Sequence, residues 1–238
     1  MSNMPVNFLE KDFEDLKEFL IKKRLISENE DKGILTNLKH IHKVCYSFAL
    51  WDHNLARIPY NGKVFLKEIR SDAIQSIPLL LLGFKKPVSI LLRGIIENSL
   101  KHIYFIDHPV EFEWLTTKSK YFPTMNDLYD YTISHPSLKS VFEKIDIVDV
   151  LKQKYIKSSM LVHSRDVSHM QLVKSLSGIK RDEGFITDYK SDLIDIGNVI
   201  NLMFGLVHKE RFNKFNQFSQ EIILNCMNRK TRRIFHGI

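Results

Sequence analysis

Apolar positions recur along this chain at the three-and-four spacing of amphipathic helices, and they are densest between residues 86 and 108. There Val88, Leu91, Leu92, Ile95, Ile96, Ile103, Phe105 and Ile106 spread around most of a helix, which predicts a buried central helix. Pro87 suits its first turn, where a missing N–H costs nothing. Upstream, Leu9, Phe13, Leu16 and Leu20 predict a helix over residues 8–26, capped by Asn7 with Glu10 completing a capping box. A polar loop over 27–33 precedes a second helix over 34–58, with Leu38, Ile41, Cys45, Phe48 and Leu55 inward. The turn Pro59-Tyr60-Asn61-Gly62 opens a third, over 63–84, which Pro78 is expected to kink or restart. Its short link to the central helix makes the two antiparallel neighbours.

Beyond Pro109 the pattern shortens. One element starts there, and one or two more lie in 126–144, broken at His135-Pro136. This region is rich in aromatics (Trp114, Tyr121, Phe122, Tyr129, Tyr131), which read as packing first and as a cap over a site second. Helical spacing returns over 146–162. A soft stretch from Ser175 to Gly184 follows, then a helix over 187–209 with Thr187 as its cap and a last one over 215–235. The expected fold is all-α: an antiparallel helical bundle of seven to nine helices, some of them short. It is read as one domain over 1–238, with N-terminal helices over 8–58, a bundle core over roughly 63–210 and a basic C-terminal helix.

Composition sharpens this picture. Nine Gly and seven Pro among 238 residues leave few turns for a sheet-rich fold. The formal charge of +7 is compatible with nucleic acid or another anion. Cys45 and Cys226 give neither a disulfide framework nor a zinc spacing, and the N-terminus carries no apolar signal, so a cytoplasmic setting is expected. No membrane span is expected, since Arg93, Glu97 and Lys101 interrupt the most apolar run. Neither a metal nor any other cofactor is expected. His40, His42 and His53 do not share one helix face, and the Gly-rich phosphate loop, the GxSxG elbow and HExxH are all missing.

Two sets of polar residues stand out against the core pattern. Arg93, Glu97 and Lys101 form a ladder four residues apart on the central helix, where a buried arginine needs a partner. The ladder reads either as a structural ion pair or as the border of a polar pocket. Tyr155, Ser159 and His163 share one face of a later helix and are the natural partners of Arg93 and Glu97. Just beyond lie Arg165, Asp166 and His169, which read either as a helix cap with surface pairs or as a site. Arg229, Lys230, Arg232 and Arg233 make the C-terminus basic and read equally as a phosphate-binding run or a solvated helix end.

The pairing of Arg-x-x-x-Glu with a later Tyr-x-x-x-Ser-x-x-x-His resembles the HEPN superfamily of helical bundles, over roughly residues 63–210. That resemblance implies metal-independent RNA cleavage by a dimer, in a bacterial toxin or phage-defence setting. The family signature is Arg, a polar residue, several free positions, then His. Arg165-Asp166-Val167-Ser168-His169 matches it with a gap one residue shorter than the family's minimum. The implied roles are Arg165 as phosphate clamp, Asp166 as orienter and His169 or His163 as acid–base group, with Arg93 and Glu97 in support. The expectation is therefore an RNA-binding or endoribonuclease-type effector with RNA and a protein partner or second copy. The rivals are a non-catalytic interaction module, such as an accessory subunit of a defence complex, and a binder of nucleotides or small anions using Arg93 and His163.

Overall fold

The central apolar run forms a helix over Lys85–Asp107, and the rest of the chain is laid around it. The computed structural model describes residues 4–57, 61–142, 147–163 and 172–237. In chain order the elements are α1 (Met4–Lys22), α2 (Lys32–Leu55), α3 (Lys63–Leu81), α4 (Lys85–Asp107), α5 (Pro109–Thr117) and α6 (Met125–Ser134). They continue as α7 (Lys139–Phe142), α8 (Ile147–His163), a 3-10 turn at Leu176–Gly178, α9 (Glu183–Val207), α10 (Lys209–Phe212), α11 (Gln217–Asn225) and α12 (Arg229–His236). The described residues are all-α, in twelve helices rather than seven to nine, because the chain is cut into more short pieces near its C-terminus.

Side-chain pairings give the directions. Gly62, before α3, lies against His102 of α4, while Asp72 lies against Gly94, so these two helices run antiparallel. Cys45 of α2 meets Ala73 and Asp52 meets Arg70, which makes α2 and α3 antiparallel as well. In α9, Gly197 lies against Val44 of α2 and Asn201 bonds Trp51, so those two run parallel. Lys154 and Lys157 of α8 reach Asp192 of α9, and Lys154 also reaches Asp195. Ile95, Ile96, Leu100 and Ile103 of α4 are fully buried, and α4 packs against α3, α5, α6, α8 and α9. It is not buried all round, since Ile90 is half exposed.

Local chemistry sets the helix ends, and in several places it overrides the sequence reading. Residue 7 is not a cap: α1 starts at Met4, with Pro5 in its first turn, where proline is well tolerated. The helix stops at Lys22 because Arg24 takes the left-handed conformation (φ 58°) and Leu25 N–H turns back to Leu20 O. Asp31 caps α2 by accepting from the Gly33 and Ile34 amides. Pro78 does not restart α3, which runs on to Leu81. Gly83 (φ 83°) ends α3, and a Cβ there would lie 2.2 Å from Lys180 O. Thr187 is not the cap of α9: Asp182 is, accepting from Phe185 N–H, and the Thr187 hydroxyl instead donates to Glu183 O. The expected last helix is two, because Asn228 caps a fresh start at α12.

A buried histidine pair fastens the far end of α4. His102 Nδ1–H donates to Gly62 O at 2.9 Å, so its Nε2 accepts from His208 Nε2–H, also at 2.9 Å. Burial holds both imidazoles well below the usual histidine range, at about 4 for His102 and about 2 for His208.

Candidate functional site

The packing of α8 on α4 brings one arginine against two of the residues spaced along one face of α8. Arg93 Nη2 donates to Tyr155 Oη at 2.8 Å, and Arg93 Nη1 donates to His163 Nε2 at 3.3 Å. An arginine can only donate, so His163 Nε2 is the accepting nitrogen. The guanidinium carbon also sits 4.8 Å from the centre of the Tyr155 ring. Tyr155 is half-buried, while His163, at the C-terminal end of α8, is exposed. The guanidinium thus spans from the interior to an imidazole at the surface.

The other residues of the two sequence patterns are spent differently. Glu97 accepts from Lys101 Nζ at 2.6 Å within α4, not from Arg93. The Ser159 hydroxyl donates to Tyr155 O within its own helix, at 2.8 Å. Of the expected partners, Arg93, Tyr155 and His163 therefore touch, while Glu97 and Ser159 flank them. Arg165, Asp166 and His169 lie outside the described residues.

Two polar atoms in this neighbourhood are buried without a hydrogen-bond partner among the described residues: Arg93 Nε and Tyr129 Oη. Buried polar groups are nearly always satisfied, and two orphans in one native cluster point to a place where a ligand, water or further side chain completes the set. Tyr129 comes from α6, is 4% exposed, and carries Lys152 Nζ 5.1 Å from its ring centre. Its hydroxyl titrates well above the usual tyrosine range, chiefly through burial and then through the nearby Tyr155 and Glu97. Sequence reasoning assigned Tyr129 to packing, because nothing in an aromatic-rich stretch distinguishes the one ring whose hydroxyl is orphaned.

On the neighbouring face of α8, a cleft of about 1070 Å³ opens between the first turns of α4, α8 and the chain leading into α9. Most of its charges are already matched. Lys85 pairs with Asp182 at 2.5 Å, Lys157 with Asp192 at 2.7 Å, and Arg181 grips Glu30 with both terminal nitrogens at 3.0 and 2.9 Å. The Arg181 guanidinium holds the Glu30 carboxyl below its usual range. Leu92, Met160, Leu161, Leu172 and Phe185 give the cleft an apolar side.

The basic C-terminal run divides by function. Arg232 is structural in part: its Nε and Nη2 both donate to Leu224 O, at 3.1 and 2.7 Å, closing the open end of α11. Arg229, Lys230 and Arg233 are exposed and form no ion pair among the described residues. Neither thiol suits a nucleophile, since burial pushes Cys45 up to about 12 and Cys226 up to about 11. Among the described residues no group of three or more His, Cys, Asp or Glu is placed to hold a metal ion, and no helix is long and apolar enough to cross a membrane. Comparison of the chain with protein-family models, with curated proteins and with solved structures finds no match.

Proposed function

We propose that this chain is an RNA-binding, metal-independent endoribonuclease-type effector of the HEPN-like kind, acting in the cytoplasm on phosphodiesters at the Arg93–His163 contact. The observation that carries this reading is the Arg93 guanidinium held between Tyr155 Oη and His163 Nε2, with the imidazole exposed. Cleavage of RNA through its own 2′-OH needs a base for that proton, a cation for the phosphate and an acid for the leaving O5′. A phosphate accepting from Arg93 Nη1 would take over the donor that now occupies His163 Nε2, freeing that nitrogen as the base. The O2′ then attacks phosphorus, the P–O5′ bond breaks, and the products are a 2′,3′-cyclic phosphate and a 5′-hydroxyl. His169 is proposed as the proton donor to O5′, with Arg165 on the phosphate and Asp166 orienting one of them. A second copy or protein partner, and a toxin or phage-defence setting, belong to this proposal through the family resemblance.

With chelator present, the protein is expected to cleave RNA, and Arg93→Gln and His163→Ala are each expected to lower the rate by roughly 100-fold or more without unfolding it. Cleavage at an unchanged rate in both folded variants would overturn the assignment. One observation favours a second reading, a non-catalytic interaction module. The cleft beside α8 is large, amphipathic and mostly charge-matched, which suits a partner segment better than a naked polyanion. A well-folded protein that cleaves no RNA and captures a polypeptide partner through this cleft would support it.

A further inference from the structure

Helix α12 carries Arg229, Arg232, Arg233 and His236, the i, i+3, i+4, i+7 series of a single helix face. The opposite face is anchored. Thr231 and Phe235 are buried, Phe235 packs on Gly205 of α9, and Asn198 of α9 accepts from both Asn228 N–H and the Thr231 hydroxyl. The cationic face is therefore held in a fixed orientation. It lines a hollow of about 300 Å³ whose walls are Arg229, Arg232, Arg233 and His236, with no acidic residue among them.

This arrangement works against the stability of the helix that bears it. Like charges three and four residues apart repel each other, and Arg229 and Lys230 sit at the end of α12 where the helix dipole is already positive. No described acid relieves them, whereas in the cleft beside α8 three basic residues are matched by Asp182, Asp192 and Glu30. One guanidinium is also positioned in advance, since Arg232 is tied through Nε and Nη2 to Leu224 O. The side-chain stems of these residues form most of the hollow's surface, and their three guanidinium groups and one imidazole stand around it; such donors suit the oxygens of a phosphate, which accept from several at once.

We infer that the α12 hollow is a phosphate-binding site, separate from the Arg93 cluster, with Arg229, Arg233 and His236 as the groups that close on the ligand and Arg232 as a fixed wall. The phosphates are those of a single-stranded RNA backbone or of a free phosphate compound. The choice of RNA rests on the proposed function; the phosphate chemistry does not.

The test is binding, not cleavage, on the full chain. A labelled single-stranded RNA of mixed sequence is titrated with wild type, with R229Q/R233Q, and with Lys230→Gln, a neighbouring cation that does not line the hollow. Thermal protection by pyrophosphate is measured on the same proteins. For a backbone ligand, R229Q/R233Q binds RNA at least tenfold more weakly, and the slope of log affinity against log salt shrinks by about 1.4, or about 0.7 for each phosphate no longer neutralised. Lys230→Gln shows a markedly smaller loss, and the double variant melts no lower than wild type. For a free ligand, pyrophosphate protects wild type but not the double variant, while RNA binding is unchanged. Equal losses in R229Q/R233Q and Lys230→Gln, or no effect of either on both ligands, would overturn the site. Loss of this site with cleavage intact leaves the Arg93 proposal standing. RNA held by α12 without any cleavage removes only that proposal.

Discussion

Asp72 is 7% exposed on α3, with its carboxylate turned to the backbone of Gly94 and Glu68 one turn away. Burial, and then the repulsion from Glu68, lift its pKa from 3.8 to about 6. The folded protein therefore holds this proton up to about pH 6, while the unfolded chain releases it near 3.8. The group's contribution to stability is full below that lower value and is lost as pH rises through the upper one. Asp72→Asn is expected to stabilise the protein by about 2 kcal/mol at pH 7, with the gain fading toward pH 4. Urea unfolding of both proteins across that range checks it. Nothing in the sequence marks Asp72, since its burial depends on Gly94 allowing α3 and α4 to approach closely. Arg93 was legible, because a charge inside so apolar a run demands a partner and the spacing of Tyr155 and His163 offered one. Tyr129 was not, as its orphaned hydroxyl is a property of three helices meeting.

At the scale of elements, α4 and its antiparallel neighbour α3 follow from periodicity and a short link, so both were visible in the sequence. The ends were harder. Caps at Asp31 and Asp182 depend on a side chain finding one amide, and Asn7 and Thr187 offered the same chemistry in places the helices run through. The break between α11 and α12 was hidden because both pieces keep helical spacing. Arg232 bridges that break by filling the carbonyl end of α11. Arg232→Gln leaves Leu224 O without its charged donor and is expected to cost about 1–2 kcal/mol, read as a lower midpoint in urea. Lys230→Gln, which touches none of these carbonyls, is the control expected to change stability by less than about 0.5 kcal/mol.

For the molecule as a whole, the all-α class followed from few turns and helical spacing throughout, and it is the architecture observed. The proposed function was less legible because it would rest on what two distant stretches do together, and on Arg165, Asp166 and His169, which lie outside the described residues. We propose that RNA is cut through its own 2′-OH at the Arg93–His163 contact. The most direct test of this proposal pairs an all-ribose oligonucleotide with the same sequence carrying 2′-deoxyribose throughout, both incubated with purified protein and chelator. Cleavage of the ribose strand alone, with 2′,3′-cyclic phosphate ends and loss of the cut in His163→Ala, is the predicted result. Cleavage of both strands, or of neither by a folded protein that binds them, would contradict it.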